Sequence, residues 1–231
     1  MGSYTREQKE LMRLFKCVID TGTEVLFAFF DLKVLSKTKY GGNFNKLLKL
    51  ETHFFYHQWE PKKTMCCACP NTGCSIKRIS KMEPWIFKKL YDTSGIEDTT
   101  HVIKHGGCIQ QLCLHKYVAK DIAAQELDIS VFSFLLRVMA YTCMTASQKS
   151  SLESVCLCRS SICHAWSTKC FQLTELNKLW IDLETHLINL SEVRYQRIIK
   201  LQIQNSRKLE IDSGEVAELS KQITNVQEVS Y

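Results

Sequence analysis

The sequence predicts an all-α protein, a helical bundle that is interrupted by one Cys-rich insertion able to bind zinc. Three observations support this prediction. Apolar residues recur at helical spacing, no stretch alternates as a strand would, and the three prolines lie together at Pro61, Pro70 and Pro84. Outside the segment with the prolines, no proline prevents the formation of long helices. A chain of 231 residues that is 45% apolar can bury one sizeable core.

The N-terminal part is predicted to begin with a long helix. Thr5 and Gln8 form a capping-box pattern, and leucine, valine and phenylalanine then recur at helical spacing for about four to six turns. The pair Gly41-Gly42 ends this helix or the turn that follows it. A second, aromatic-rich helix is expected from Asn43 to about Trp59, with its rings in the core.

The pattern is broken from Pro61 to about Lys120. One short helix is expected there, near Lys81 to Tyr91, because Pro84 can occupy its first turn. Three further helices follow at helical apolar spacing: a buried helix capped by Asp128, a helix from about Ser151 to Cys163, and a long helix from near Thr174 to Leu190.

These elements divide the chain into a helical domain over residues 5–190, its Cys-rich basic insertion over 61–120, and an amphipathic helical tail over 191–231. The block 60–120 has ten Lys and Arg against five Asp and Glu, so it faces an acidic partner or phosphates, or is a solvated lysine-rich surface. The tail continues an apolar stripe and is expected to leave the domain and pair with a helical partner.

The sequence also bears on location. No apolar run reaches the roughly 18 to 20 residues of a membrane span. The N-terminus lacks an apolar signal core, and Arg6 occupies the place where an acylation signal needs Ser or Thr. We therefore expect no membrane association and a cytoplasmic protein, with the nucleus as the alternative, where disulfides are rare and clustered cysteines indicate metal ligands.

The 12 cysteines form two populations. Six lie on predicted helices and are expected to pack as small apolar residues: Cys17, Cys143, Cys156, Cys158, Cys163 and Cys170. The others cluster in or just beyond the proline-bearing break, where Cys66-x2-Cys69 has the spacing of a zinc knuckle. The predicted ligands of a structural zinc ion are Cys66, Cys69, Cys113 and His115, with Cys67, Cys74 and Cys108 as alternates. Redundant loop thiols are the competing interpretation, and a catalytic zinc is not expected because no H-E-x-x-H motif is present.

Arg159 and His164 form a second candidate site. His titrates near neutral pH and Arg can hold a phosphate through two hydrogen bonds. Together with other motifs, this pair gives a resemblance to the HEPN (higher eukaryote and prokaryote nucleotide-binding) domain of the DAZ-interacting zinc-finger E3 ubiquitin ligase type over about residues 10–190. The motifs are Asp20-x-Gly22-Thr23-Glu24-Val25-Leu26, Phe29-Phe30-Asp31, Leu90-Tyr91-Asp92-Thr93-Ser94-Gly95, Leu127-Asp128-Ile129-Ser130-Val131, Leu135-Leu136-Arg137, Arg159-x4-His164-Ala165 and the helix containing Trp180.

The resemblance implies a helical bundle that dimerises so that two R-x(4-6)-H motifs meet. In the ribonuclease members of the family, His acts as general acid or base and Arg holds the phosphate, without a metal; Arg159 and His164 match those positions. Ser160 departs from the Asn, Asp or His that those members prefer. Residues five apart on a straight helix point about 140° apart, so the two side chains share a site only if the helix ends between them or a second chain contributes.

We therefore expect a HEPN-like interaction module that dimerises and binds a protein partner or RNA, in a signalling or innate-immune setting by resemblance. Two alternatives remain: a metal-independent endoribonuclease that uses Arg159 and His164, and a zinc-stabilised nucleic-acid binder that uses the block 60–120. Ubiquitin-ligase activity is not implied, because the spacings do not supply the eight ligands of a RING finger.

Overall fold

The computed structural model describes residues 4–60, 62, 64–168 and 171–229. The chain divides into two compact units. The bundle unit comprises Met1–Leu32, Leu127–Leu136 and Ala140–Tyr231, and the inserted unit comprises Lys33–Glu126 and Arg137–Met139. The insertion is longer than the predicted 61–120, because helices that precede Pro61 in the chain also belong to it.

The chain begins with the predicted long helix. α1 (Arg6–Cys17) starts at the capping box, in which Thr5 Oγ1 accepts from the Gln8 N–H and Gln8 Oε1 accepts from the Thr5 N–H. A π-helical turn (Val18–Gly22) leads into α2 (Thr23–Phe30), and a second π-helical turn (Asp31–Leu35) extends the helix beyond the predicted length. A Cβ at Gly22 would lie 3.1 Å from Ile129 Cδ1, so this glycine permits close packing.

The predicted helix from Asn43 to Trp59 forms as two helices, α3 (Phe44–Leu50) and α4 (Thr52–Trp59). Asn43 caps α3, because its side chain accepts from the Lys46 N–H at 2.8 Å. Glu51, with φ −103° and ψ 13°, leaves the helical conformation and separates the two helices. The aromatic residues Phe55 and Tyr56 are buried, as predicted.

The rest of the inserted unit contains short strands, which corrects the all-α prediction to a mostly helical fold. In chain order, its elements are β1 (Met65–Cys66), α5 (Pro84–Leu90), β2 (Tyr91–Asp92), β3 (Ile103–His105), β4 (Cys108–Leu112) and β5 (Val118–Ala119). One sheet has the order β1-β4-β3, with β1 parallel to β4 and β3 antiparallel to it, and β2 pairs antiparallel with β5. Strands of two to five residues are too short to show alternation.

An aromatic cluster holds α4 and α5 in the inserted unit. Trp59 stacks on Phe87 with ring centroids 4.3 Å apart, and the Tyr117 ring meets Phe87 edge-on at 5.2 Å. Tyr91 donates its hydroxyl to the Leu48 carbonyl at 2.7 Å. The helix α5 itself confirms the prediction that Pro84 occupies the first turn.

The chain continues with α6 (Ile129–Met139), which belongs to the bundle unit up to Leu136, and then with α7 (Ala146–Thr168) and α8 (Leu173–Leu190) of the bundle unit. The prediction that Asp128 caps α6 is confirmed, since its side chain accepts from the N–H groups of Ser130 and Val131. The helix α8 begins before Thr174, because Gln172 and Glu175 form a capping box. In the described part of the chain, no helix is both long and apolar enough to cross a membrane.

The C-terminal segment was predicted to leave the domain, but it packs on the bundle unit. Its helices α9 (Gln196–Lys208) and α10 (Ser213–Val229) belong to the bundle unit, where α9 packs on α1 and α8, and α10 packs on α7 and α1. The packing is apolar, because Ile203, Val216 and Ile223 are buried. Leu201 and Ile198, also part of the predicted stripe, stay exposed.

The helical cysteines follow the prediction only in part. Cys17, Cys158 and Cys163 are buried, whereas Cys156 is half-buried and Cys143 is exposed. Cys170 lies outside the described residues. No disulfide joins any cysteine that the structure describes.

Candidate metal centre

Two histidines on α4 form one side of a candidate metal centre. His53 and His57 are four residues apart, so they share one face of the helix. Their ring centroids are 5.0 Å apart. The opposite face carries buried aromatic residues, including Phe55, and this packing fixes the direction in which the two imidazoles point.

Two cysteines on the loop after β1 form the other side. A tight turn brings Cys69 back toward the strand, because its N–H donates to the Cys66 carbonyl at 2.9 Å. A second turn closes when the Gly73 N–H donates to the Pro70 carbonyl at 2.9 Å, with Gly73 at φ 99°. That left-handed conformation favours glycine and places Cys74 beside Cys69.

The four side chains converge closely enough for one ion to contact all of them. The ligand atoms of His53, His57, Cys69 and Cys74 all lie within 4.8 Å of one another. The Cys69 Sγ lies 3.1 Å from His57 Nε2 and 3.4 Å from His53 Nε2, and the Cys74 Sγ lies 3.6 Å from His53 Nε2. Bond lengths of about 2.3 Å for Zn–S and about 2.0 Å for Zn–N place the two atoms about 3.6 Å apart.

The surroundings favour neutral imidazoles, which is the form that binds metal. Burial, the charge of His53 and the charge of Arg78 lower the pKa of His57 to about 4. Burial also lowers the pKa of His53. On the sulfur side, the Cys66 N–H donates to the Cys69 Sγ at 3.3 Å, a contact that stabilises a thiolate.

The predicted ligands do not form one group. Cys69 belongs with His53, His57 and Cys74, while Cys113 lies in a separate group with Cys67 and His101. The predicted tetrahedron fails because the chain reverses direction within the turn that Cys66 and Cys69 delimit, so neighbouring thiols face different partners.

The remaining predicted residues lie near these groups or apart from them. The Cys66 thiol is buried 3.7 Å from the Cys69 Sγ, outside either group, and burial raises its pKa to about 12. The His115 ring centroid lies 5.1 Å from that of His101, beside the second group. Cys108, on β4, is exposed and belongs to neither group among the described residues.

His53, His57 and His101 were not among the ligands predicted from the sequence. A signal for the first two was present, because His-x3-His inside a predicted helix places two imidazoles on one face. The aromatic residues around them led to a core interpretation instead. His101 carries no comparable local signal, since Cys67 and Cys113 come beside it only through the pairing of β1 with β4.

Arg159 and His164 both lie on α7, which continues to Thr168. Arg159 is half-buried, and its Nε is buried with no hydrogen-bond partner among the described residues. His164 is exposed. Because α7 does not end between them, the two side chains point about 140° apart and do not share a site within one chain.

No family model matches this chain, and no curated protein or solved structure matches it either. The HEPN resemblance therefore stays a proposal. A metal-binding role depends on the geometry of the Cys and His residues in the inserted unit.

Proposed function

We propose that this protein is a zinc-stabilised helical interaction module, in which His53, His57, Cys69 and Cys74 bind one structural zinc ion. The observation that carries the proposal is the convergence of four ligand atoms within 4.8 Å of one another. Two thiolates and two imidazoles are a donor set that zinc prefers, whereas magnesium and calcium require oxygen ligands.

The role of this ion is structural. Four protein ligands complete a tetrahedron and leave no position for water or substrate, unlike a catalytic zinc with three protein ligands. The ion joins α4 to the loop after β1, a segment whose regular structure is a two-residue strand followed by turns. Such a segment has little apolar surface to bury, so metal binding supplies the free energy that orders it.

Zinc analysis of matched variants tests this proposal. Protein purified without chelators should contain zinc, and His57→Ala should lose one equivalent and lower the midpoint of thermal unfolding. His105→Ala is the control, because His105 is an exposed histidine of the same unit that belongs to neither group. Wild-type protein without zinc, or His57→Ala protein that keeps the full zinc content, would contradict the proposal.

We propose that the interaction is with a second copy of the chain, with a helical protein partner, or with RNA. The balance of ten Lys and Arg against five Asp and Glu over 60–120 supports a partner that carries negative charge. Lys77, Lys88 and Lys104 are exposed in this block. RNA binding through them should weaken steeply with added salt. RNA affinity that is absent or independent of salt would remove RNA from the candidates.

The endoribonuclease alternative requires two chains. Since α7 continues through Arg159 and His164, a shared phosphate site would need one residue from each copy. A cleavage assay on single-stranded RNA, with His164→Ala as the control variant and sedimentation to measure the oligomeric state, distinguishes the alternatives. If the wild type and His164→Ala cleave RNA equally, or if neither cleaves it, the interaction module stands as the function. If only the wild type cleaves RNA, the endoribonuclease replaces the interaction module as the function.

A further inference from the structure

The inserted unit contains a second group of metal-ligating side chains, formed by Cys67, His101 and Cys113. Their ligand atoms all lie within 4.8 Å of one another, and none of the three belongs to the first group. The Cys113 Sγ lies 3.7 Å from His101 Nδ1. This separation matches the roughly 3.6 Å between sulfur and nitrogen ligands of a tetrahedral zinc ion.

The small sheet creates this arrangement. β1 and β4 are parallel, with Cys66 opposite Leu112, so the next residue of each strand, Cys67 and Cys113, emerges at the same end of the pair. The Cys67 N–H donates to the Leu112 carbonyl at 3.0 Å and extends the pairing. His101 arrives from the turn that precedes β3, the other neighbour of β4.

Hydrogen bonds around the group are of the kind that supports metal-bound thiolates and imidazoles. The Leu114 N–H donates to the Cys67 Sγ at 3.2 Å, and the Asp98 N–H donates to the Cys113 Sγ at 3.4 Å. The Asp98 carboxylate lies 3.7 Å from His101 Nε2. This contact is longer than a hydrogen bond, but a carboxylate on the Nε2 side favours the ring orientation in which Nδ1 faces Cys113.

A candidate fourth ligand, His115, lies beside the group. His115 follows Cys113 by two residues, on the turn Leu114–Lys116, and its ring centroid lies 5.1 Å from that of His101. It is exposed, so its side chain can turn toward the group without repacking the core. We propose that Cys67, His101, Cys113 and His115 bind a second zinc ion, which fastens the loop before β3 to the β1–β4 pair.

Zinc content per chain tests this proposal separately from the first site. Wild-type protein should contain two equivalents of zinc, Cys113→Ser should contain one, and the double variant with His57→Ala should contain none. If the wild type and Cys113→Ser both hold a single equivalent, the second site is refuted and the first survives. If the wild type holds a single equivalent, which His57→Ala keeps and Cys113→Ser loses, the second site is the occupied one and the proposed first site fails.

The role of His115 has its own matched pair of variants. In a competition with a chromogenic chelator, His115→Ala should weaken binding of the second zinc by more than roughly 100-fold. Loss of a residue that only supports a ligand weakens metal binding by about 10- to 100-fold, so a larger loss identifies His115 as a ligand. His105→Ala, which removes another exposed histidine nearby in the chain, should leave both affinities unchanged. Unchanged affinity in His115→Ala would overturn its assignment as the fourth ligand. Far-UV circular dichroism of each variant confirms that it folds.

Discussion

Replacing Trp180 by Phe should strongly destabilise the bundle unit. Trp180 is 1% exposed, and its indole Nε1–H donates to Glu10 Oε1 at 2.9 Å, which joins α8 to α1. The other oxygen of Glu10 pairs with Arg13 at 2.9 Å. Phe keeps an aromatic ring in the core but removes the donor, so a largely buried carboxylate oxygen loses its partner.

The expected loss has two parts. A hydrogen bond to a charged acceptor contributes about 1.5–3 kcal/mol. The smaller ring leaves a cavity that adds roughly 1–2 kcal/mol. We therefore expect Trp180→Phe to lower the free energy of unfolding by about 2.5–5 kcal/mol, a large share of the roughly 5–15 kcal/mol that holds a typical domain folded.

A double-mutant cycle isolates the hydrogen bond. Urea unfolding of wild type, Trp180→Phe, Glu10→Ala and the double variant, followed by circular dichroism, gives the coupling energy between the two positions. The ion pair of Glu10 with Arg13 cancels in the cycle. We expect a coupling of about 1.5–3 kcal/mol, and a value below about 0.5 kcal/mol would refute the reasoning. Ile181→Ala, at an exposed neighbour on α8, is the control and should change stability by less than about 1 kcal/mol.

Three further predictions concern other parts of the chain. Gly95→Ala should lower the thermal midpoint more than Gly41→Ala. A Cβ at Gly95 would overlap the His115 carbonyl oxygen, whereas a Cβ at Gly41 meets nothing within 4 Å and costs only the strain of a side chain at φ 60°. Equal costs would contradict the close approach at Gly95. In native protein, the exposed thiols of Cys108 and Cys143 should react quickly with a thiol reagent, whereas Cys158 should not react. Cys158 is buried, and burial raises its pKa to about 12. Mass spectrometry of the labelled peptides checks this order, and fast labelling of Cys158 would contradict it. Burial raises the pKa of Cys17 from 9.0 to about 11, so its contribution to stability is present below pH 9 and is lost as the pH rises toward 11. In Cys17→Ala, the midpoint of urea unfolding should therefore fall less steeply between pH 9 and 11 than in the wild type. An unchanged fall would show that other groups cause it.

The parts of the fold that the sequence predicted correctly depend on signals within one turn of helix. The capping box at Thr5, the cap at Asp128 and the proline at the start of α5 are each decided by residues three or fewer positions apart. The helix α8 begins within one residue of the predicted Thr174, but its cap was not predicted. Gln172 supplies the cap there, and glutamine is not among the residues that usually do so.

The candidate site was predicted only in part, because its geometry depends on a non-local pairing. Cys67 and Cys113 lie side by side through the parallel contact of β1 with β4, and a two-residue strand leaves no pattern in the sequence. The spacing Cys66-x2-Cys69 suggested that these two thiols bind one ion. In the structure, Cys69 instead faces the histidines of α4, whose His-x3-His spacing was the informative signal.

The turn that carries Cys67 and Cys69 has a consequence for how this chain can vary. One residue, Ala68, separates two thiols that belong to different groups, and its own side chain is exposed. Almost any amino acid can therefore stand at position 68, yet removing it, or adding a residue beside it, would move one thiol out of reach of its partners. Surface loops usually tolerate changes of length. Here length is the constrained property, and a series of single-residue insertions along 66–74 should find no neutral position.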